Sequence, residues 1–153
     1  MGDAPDQIRE LNIRDITESD IEGVLAIDRN IAGRDRAVTY ATAPRSYVGG
    51  EMDVSVVAEV GGEIVGFLLG RIASSPYGLT DAAWLEVIGV DPSCRRQGIG
   101  TGLVQAFMER CRQRGVQSVH IIVSWHDWWF LSFVRSLGFA RGEMAEFIKP
   151  IED

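Results

Sequence analysis

The sequence predicts a mixed α/β fold in one domain over residues 1–153. Short apolar segments with the two-residue periodicity of strands occur beside segments whose apolar residues recur every three or four positions, as on one face of a helix. A chain of 153 residues has the length of one domain with a single hydrophobic core. Helices packed on one sheet are therefore expected.

The N-terminal third predicts a strand, a helix and a loop region. Residues 8–14 alternate between apolar and polar side chains, which predicts a strand. Capping side chains at 17–20 precede apolar residues at helical spacing over 21–27, which predicts a helix. From residue 31 to residue 50 glycines and a proline interrupt the pattern, so loops and short helical pieces are expected there.

The middle of the chain predicts three strands. Residues 54–60 and 64–72 are apolar and flank Gly61 and Gly62, which predicts a β-hairpin. Residues 84–90 are densely apolar, as expected for a central strand that is buried on both faces of a sheet.

The C-terminal part predicts two helices and two strands. Apolar residues over 103–111 recur at three- and four-residue steps, which predicts a helix that packs one face on the sheet and ends at Gly115. A strand at 118–123, a helix at 128–137 and a last strand at 147–148 complete the order.

A glycine-rich turn joins the central strand to the next helix and predicts a phosphate site. Glycines at 98 and 100 remove Cβ atoms where a ligand must approach the backbone, and the N–H groups that open the helix have no intrahelical acceptor. These donors suit a pyrophosphate. A P-loop is excluded because no lysine follows the glycines, and the dinucleotide fingerprint because Leu103 and Gln105 stand where its third glycine or alanine would be.

The turn and its surroundings resemble a known family. Val90-Asp91-Pro92 followed by Arg95-x-x-Gly98-x-Gly100 is similar to the acyl-CoA-binding motif of the GNAT N-acetyltransferase superfamily, and the Leu-Gly-Phe at 137–139 is similar to the end of its C-terminal helix. The resemblance implies a central mixed, mostly antiparallel sheet flanked by helices. It also implies direct transfer of an acetyl group from acetyl-CoA to a primary amine, which could be a protein N-terminus, a lysine or a small amine, without a metal.

The resemblance implies two sets of backbone contacts with the cofactor. The strand residues that pair with the pantetheine arm are Ile88, Gly89 and Val90. The loop residues that bind the pyrophosphate, mostly through backbone N–H groups, are Arg96, Gln97, Gly98, Ile99, Gly100 and Thr101. The side chains of Arg95 and Arg96 either add positive charge near the phosphates or are solvated. A strand glycine weakens the ladder and allows close approach, so Gly89 either eases the separation of this strand from its neighbour, leaves room beside the thioester or accommodates a bulky neighbour.

Asp127 lies where relatives often carry an asparagine that contacts the cofactor. Because aspartate is among the best residues to precede a helix, Asp127 is also expected to cap the helix that starts at Trp128.

Glu86 is the candidate catalytic residue. In many relatives a carboxylate at this position accepts the proton of the amine, usually through water; an exposed glutamate at a strand edge is the alternative interpretation. Strand alternation predicts that Glu86 and Ile88 share one face and that Val87 lies on the other.

Val134 departs from the family pattern. Many relatives carry a tyrosine here that protonates the leaving CoA thiolate, and valine has no proton to donate. A general acid is then either dispensable or supplied by Ser132, Tyr77 or water. An idle CoA-binding or protein-interaction module is therefore the alternative function.

Composition limits the partners. With 22 acidic and 15 basic side chains the formal charge is −7, which disfavours nucleic-acid binding and is compatible with a cationic acceptor. Cys94 and Cys111 have no metal-ligand spacing with either histidine, so no metal is expected. Without a long apolar span or a signal sequence, a cytoplasmic protein that does not bind membranes is predicted.

An aromatic cluster stands out near the predicted last helix and consists of Trp125, Trp128 and Trp129 with Phe130 and Phe133. Most of it is expected in the core, with at least one tryptophan left for an acceptor pocket or a homodimer contact.

Overall fold

The structure is a computed structural model that describes residues 10–32, 47–49, 54–73 and 82–152. The chain divides into two compact units, Met1–Ile122 and Val123–Asp153. The sheet lies in the first unit and a single helix lies in the described part of the second.

The first unit contains a five-stranded sheet in which neighbours in space are also neighbours in sequence, in the order β1-β2-β3-β4-β5. The strands are β1 Leu11–Asp15, β2 Val56–Val60, β3 Glu63–Ile72, β4 Ala82–Val90 and β5 Ser118–Ile121. All pairs are antiparallel except β4 and β5, which run parallel. This confirms the prediction of a mixed, mostly antiparallel sheet.

Helix α1, Ile21–Ala32, begins where the sequence places its capping residues. Thr17 donates its backbone N–H to Asp20 Oδ2 at 2.8 Å, which satisfies one of the donors at the helix start. The guanidinium of Arg14, on β1, donates to both carboxylate oxygens of Asp20 at 2.7 and 2.9 Å. This bidentate pair ties β1 to the beginning of α1.

The face of β3 toward α1 is packed with large apolar side chains. Phe67 and Leu69 are buried in one cluster with Val24 and Ile27 of α1 and with Tyr47. Because the cluster joins a strand, a helix and the described part of the preceding loop region, it fixes Tyr47 over the sheet.

The opposite face of β3 carries glycines and receives helix α2, Ile99–Gln113. A Cβ on Gly66 would lie 3.1 Å from Leu103 Cδ1, and a Cβ on Gly70 would lie 2.7 Å from Phe107 Cζ. Phe107 and Leu103 are fully buried. The glycines therefore let α2 pack directly against the strand, as predicted from its apolar face.

The second unit contains helix α3, Trp128–Ser136. After it, residues 139–152 form neither helix nor strand, and Phe147 is 94% exposed. The predicted strand at 147–148 is therefore wrong. A strand exists only where a neighbour pairs with its backbone, and within the described ranges none pairs with this short apolar segment.

Candidate functional site

The turn before α2 presents backbone donors that make no backbone hydrogen bond to another residue described in the structure. Gly98 is the N-cap of α2, with φ 75° and ψ 12°, and the first helical hydrogen bond runs from Gly102 N to Gly98 O at 3.0 Å. The N–H groups of Ile99, Gly100 and Thr101 precede that bond, so they have no acceptor within the helix. Three adjacent donors at a helix N-terminus form an anion-binding geometry.

Backbone conformation in the turn is unusual at a second position. Arg96 has φ 67°, the one positive φ found at a described residue other than glycine. Two left-handed residues so close together, Arg96 and Gly98, curve the chain as in anion-binding loops. At Arg96, which has a side chain, this conformation is of a kind that clusters at functional sites. Arg95, Arg96 and Gln97 are exposed, so their side chains are accessible to a ligand.

The start of the turn is fixed by Asp91. Its carboxylate accepts hydrogen bonds from Ser93 N at 2.9 Å and Ser93 Oγ at 2.8 Å, and its own N–H donates to Val65 O at 2.8 Å. Aspartate followed by proline and serine favours this local turn. The contact with Val65 anchors the beginning of the loop to β3.

The second half of β4 has an open edge. β5 pairs with β4 only from Ala82 to Leu85, and no strand among the described residues pairs with that edge further along. Since Asp91 N–H points to β3, alternation along the antiparallel ladder directs the N–H and C=O groups of Ile88 and Val90 away from β3, toward the open edge. These groups face an edge that no described strand occupies, which suits pairing with an extended ligand.

Gly89 lies between those residues and is buried. A Cβ there would lie 2.7 Å from Phe67 Cε1 and 3.0 Å from Ile31 Cδ1. The glycine accommodates the Phe67 ring, which is one of the interpretations that the sequence leaves open.

A β-bulge places Glu86. Leu69 pairs with Val87 and the next residue, Gly70, pairs with Leu85, so Glu86 is the extra residue on β4. Glu86 contacts Tyr47, and Val87 packs against the cluster that contains Tyr47. Both side chains therefore lie on the α1 face. The expected separation of Glu86 and Val87 onto opposite faces is wrong, because the bulge breaks the alternation.

Glu86 belongs to a polar cluster of three side chains. Arg71 Nε lies 2.8 Å from Glu86 Oε1, Tyr47 donates its hydroxyl to Glu86 Oε2, and Arg71 Nη2 donates to the Tyr47 hydroxyl at 3.0 Å. The Arg71 guanidinium carbon also lies 4.9 Å from the centre of the Tyr47 ring. The Glu86 side chain is 32% exposed. Burial raises the pKa of its carboxyl above the usual value, although the guanidinium favours the charged form.

Sequence reasoning missed Tyr47 and Arg71. Tyr47 follows a stretch with no clear periodicity, and its contact with Glu86 spans 39 positions. Arg71 did carry a signal, since it is a charged residue that follows the buried run over 65–70 in an apolar strand.

In the second unit Asp127 caps α3. Its Oδ1 accepts a hydrogen bond from Phe130 N at 3.0 Å, which confirms the capping role predicted for it. Val134 is buried and Ser132 is exposed on the same helix, whereas Tyr77 lies outside the described residues.

The tryptophans of this unit are not in a core. Trp125, Trp128 and Trp129 are all exposed, and Arg141 lies over the Trp125 ring at 5.6 Å. The expectation that most of the cluster is buried is wrong. Their exposure is what the other part of the expectation, a tryptophan in an acceptor pocket or a homodimer contact, requires.

Metal-binding clusters and membrane-spanning helices are absent from the described residues. In the part of the chain that the structure describes, no group of three or more histidine, cysteine or carboxylate side chains could hold a metal ion. None of the described helices has the length and apolar character needed to cross a bilayer. Cys94 and Cys111 are not in a disulfide.

Comparisons with known proteins agree on one family. The model of the acetyltransferase (GNAT) family matches residues 24–139. The L-2,4-diaminobutyric acid acetyltransferase of Nocardia farcinica is 30% identical over 101 residues, which are 65% of this chain and 48% of that protein. The mycothiol acetyltransferase of Renibacterium salmoninarum is 29% identical over 79 residues, 52% of this chain and 23% of that protein. The chain thus spans at most about half the length of these curated relatives.

Solved structures share the fold. The aminoglycoside N-acetyltransferase AAC(6')-Iy in complex with CoA superposes with a TM-score of 0.79 at 19% identity, covering 92% of this chain and 95% of that one. The ribosomal-protein-S18-alanine N-acetyltransferase of Escherichia coli gives a TM-score of 0.73 at 22% identity, covering 87% and 79%. At this identity the likeness concerns the fold alone.

Proposed function

Because the chain belongs to the acetyltransferase (GNAT) family, we propose that it is an N-acetyltransferase that transfers the acetyl group of acetyl-CoA directly to a primary amine. The observation that carries the proposal is the row of three unpaired backbone donors at the start of α2, directly after the open-edged strand β4. Bound acetyl-CoA supplies an activated acetyl thioester.

The geometry of the turn fits the diphosphate of CoA. The N–H groups of Ile99, Gly100 and Thr101 would donate to it, and around Gly98 no heavy atom lies within 4 Å of the position that a Cβ would occupy. Arg95 and Arg96 would add positive charge from the exposed side of the turn.

The open edge of β4 fits the pantetheine arm. Ile88 and Val90 would pair with its amides through their backbone groups, and the buried Gly89 keeps that part of the strand packed on Phe67. Asp127, in the second unit, remains a proposed cofactor contact in addition to its capping role.

Glu86 is proposed as the general base. An alkylammonium must lose a proton before its nitrogen can attack, and Glu86 is a partly exposed carboxylate whose pKa is raised by burial. A raised pKa makes the carboxylate a stronger proton acceptor. The hydrogen bonds from Tyr47 and Arg71 hold its two oxygens in place.

No side chain is assigned as the general acid that would protonate the leaving CoA thiolate. Val134 cannot donate a proton, and a thiolate is stable enough in water to leave without one. The candidate acetyl acceptors are a protein N-terminus, a lysine side chain and a small amine.

The test measures acetyl-CoA binding by calorimetry and CoA release with a panel of amines. Binding together with turnover supports the proposal. Binding without turnover on any amine would favour the idle module suggested by Val134, and absence of binding would overturn the site.

Glu86→Gln tests the base, with Glu63→Gln as a matched control because Glu63 is an exposed glutamate at the start of β3. Glu86→Gln should lower kcat while acetyl-CoA affinity is kept, and it should remove the acid limb of the pH–rate profile. Glu63→Gln should change neither. An unaltered profile in Glu86→Gln would remove Glu86 from the mechanism.

A further inference from the structure

We propose that Arg71 binds a carboxylate on the acceptor, so that the preferred substrates are amines that also carry a carboxylate, such as amino acids. This inference rests on the proposed function and assigns the substrate class of the same site. It follows from the geometry of Arg71, its exposure and the charge balance around Glu86.

The Arg71 guanidinium is held in place with part of its donor set unused. Nε lies against Glu86 and Nη2 against the Tyr47 hydroxyl, while Nη1 makes no hydrogen bond to any residue that the structure describes. The side chain as a whole is 48% exposed, so the guanidinium lies at the surface of the cluster. An arginine whose plane is fixed by two contacts and an aromatic ring is well prepared to bind a carboxylate.

Its place in the sheet brings Arg71 beside the proposed base. Arg71 pairs with Trp84 across β3 and β4, two positions before the bulged Glu86. An acceptor whose ammonium approaches Glu86 would therefore bring its neighbouring substituents close to the guanidinium.

Charge balance favours a zwitterionic acceptor. Arg71 and Glu86 together are neutral, so a simple ammonium adds one uncompensated positive charge beside the guanidinium. A carboxylate on the same molecule cancels that charge and accepts hydrogen bonds from Nη1. A polycation would instead place several positive charges next to Arg71, and like charges brought together oppose binding.

The test compares two acceptors that differ only in the carboxylate, L-2,4-diaminobutyric acid and 1,3-diaminopropane. For the wild-type protein kcat/KM should be roughly tenfold higher with the amino acid, as expected for one charge-assisted contact at a half-exposed site. Arg71→Gln should bring the ratio close to one. Arg71→Lys should give an intermediate ratio, because it keeps the charge and loses the planar fork.

Arg112→Gln is the matched control, because Arg112 is an exposed arginine on α2 that pairs with Glu109. The ratio of kcat/KM for the two acceptors should be the same in this variant as in the wild type. The two acceptors are compared on the wild-type protein, so the inference can be tested whether or not Arg71→Gln folds. Equal turnover of the two acceptors, or a preference for the diamine, would overturn this inference alone. No turnover with any amine would overturn the proposed function as well.

Discussion

Replacing Gly98 with alanine tests the turn most sharply, because the chain contains a matched control. Gly98 has φ 75° and Gly115, just beyond the other end of α2, has φ 77°. At both positions a Cβ would have no heavy atom within 4 Å apart from those of the glycine and its immediate chain neighbours. The two substitutions therefore impose the same backbone strain without a clash, and they differ only in which end of the helix they affect.

The strain should lower stability equally in the two variants. Alanine in the left-handed region costs about 1 kcal/mol relative to glycine. For a domain of this size a loss of about 1 kcal/mol lowers Tm by about 2–4 °C. Thermal unfolding without ligand should show this fall for both Gly98→Ala and Gly115→Ala.

Cofactor affinity should separate the two variants. In Gly98→Ala the added strain favours turn conformations with negative φ, and these conformations direct the following donors away from the diphosphate. Loss of one hydrogen bond to a charged group weakens binding by about 1.5–3 kcal/mol, which is at least about tenfold in Kd. Calorimetry with CoA should show this for Gly98→Ala and an unchanged Kd for Gly115→Ala. Equal Kd values in both variants and the wild type would refute the assignment of the turn.

Three further substitutions test the fold around the site. Gly70→Ala should cost about 1–3 kcal/mol of unfolding free energy in urea, because its Cβ would lie 2.7 Å from Phe107 Cζ; an unchanged midpoint would argue against the packing of α2 on β3. Arg14 lowers the pKa of Asp20, so the stability from this pair is present above the unfolded pKa of about 3.8 and is lost as pH falls through the lower folded value. Asp20→Asn should therefore destabilise the protein at pH 7 and flatten the acid side of its stability profile, and identical profiles would contradict the pair. Asp127→Ala should destabilise α3 by about 1 kcal/mol and speed amide exchange in its first turn, whereas Asp127→Asn should retain the cap.

Much of the fold was predictable because its signals are local. The hairpin of β2 and β3 and the central strand β4 are apolar runs separated by glycine turns, and the structure contains them within a few residues of the predicted bounds. Helix α2 was predictable from its apolar face and from Gly115. The turn before α2 was predictable for the same reason, since its glycines lie close together in sequence, and its cofactor role stays a prediction.

The polar cluster was not predictable because it depends on distant pairing. The face on which Glu86 lies is set by a bulge, and the bulge appears only in the register of β4 against β3. Tyr47 reaches Glu86 from a segment without periodicity, so nothing local indicates the contact. The prediction of a strand at 147–148 is wrong for the same reason. A strand needs a neighbouring strand to pair with, and the residues of the segment do not specify that neighbour.

The most direct test is a crystal structure of the protein grown with CoA. The account predicts diphosphate oxygens within hydrogen-bond distance of the N–H groups of Ile99, Gly100 and Thr101, with the pantetheine arm along Ile88 and Val90. CoA bound at another place, with these backbone groups facing only water, would contradict it.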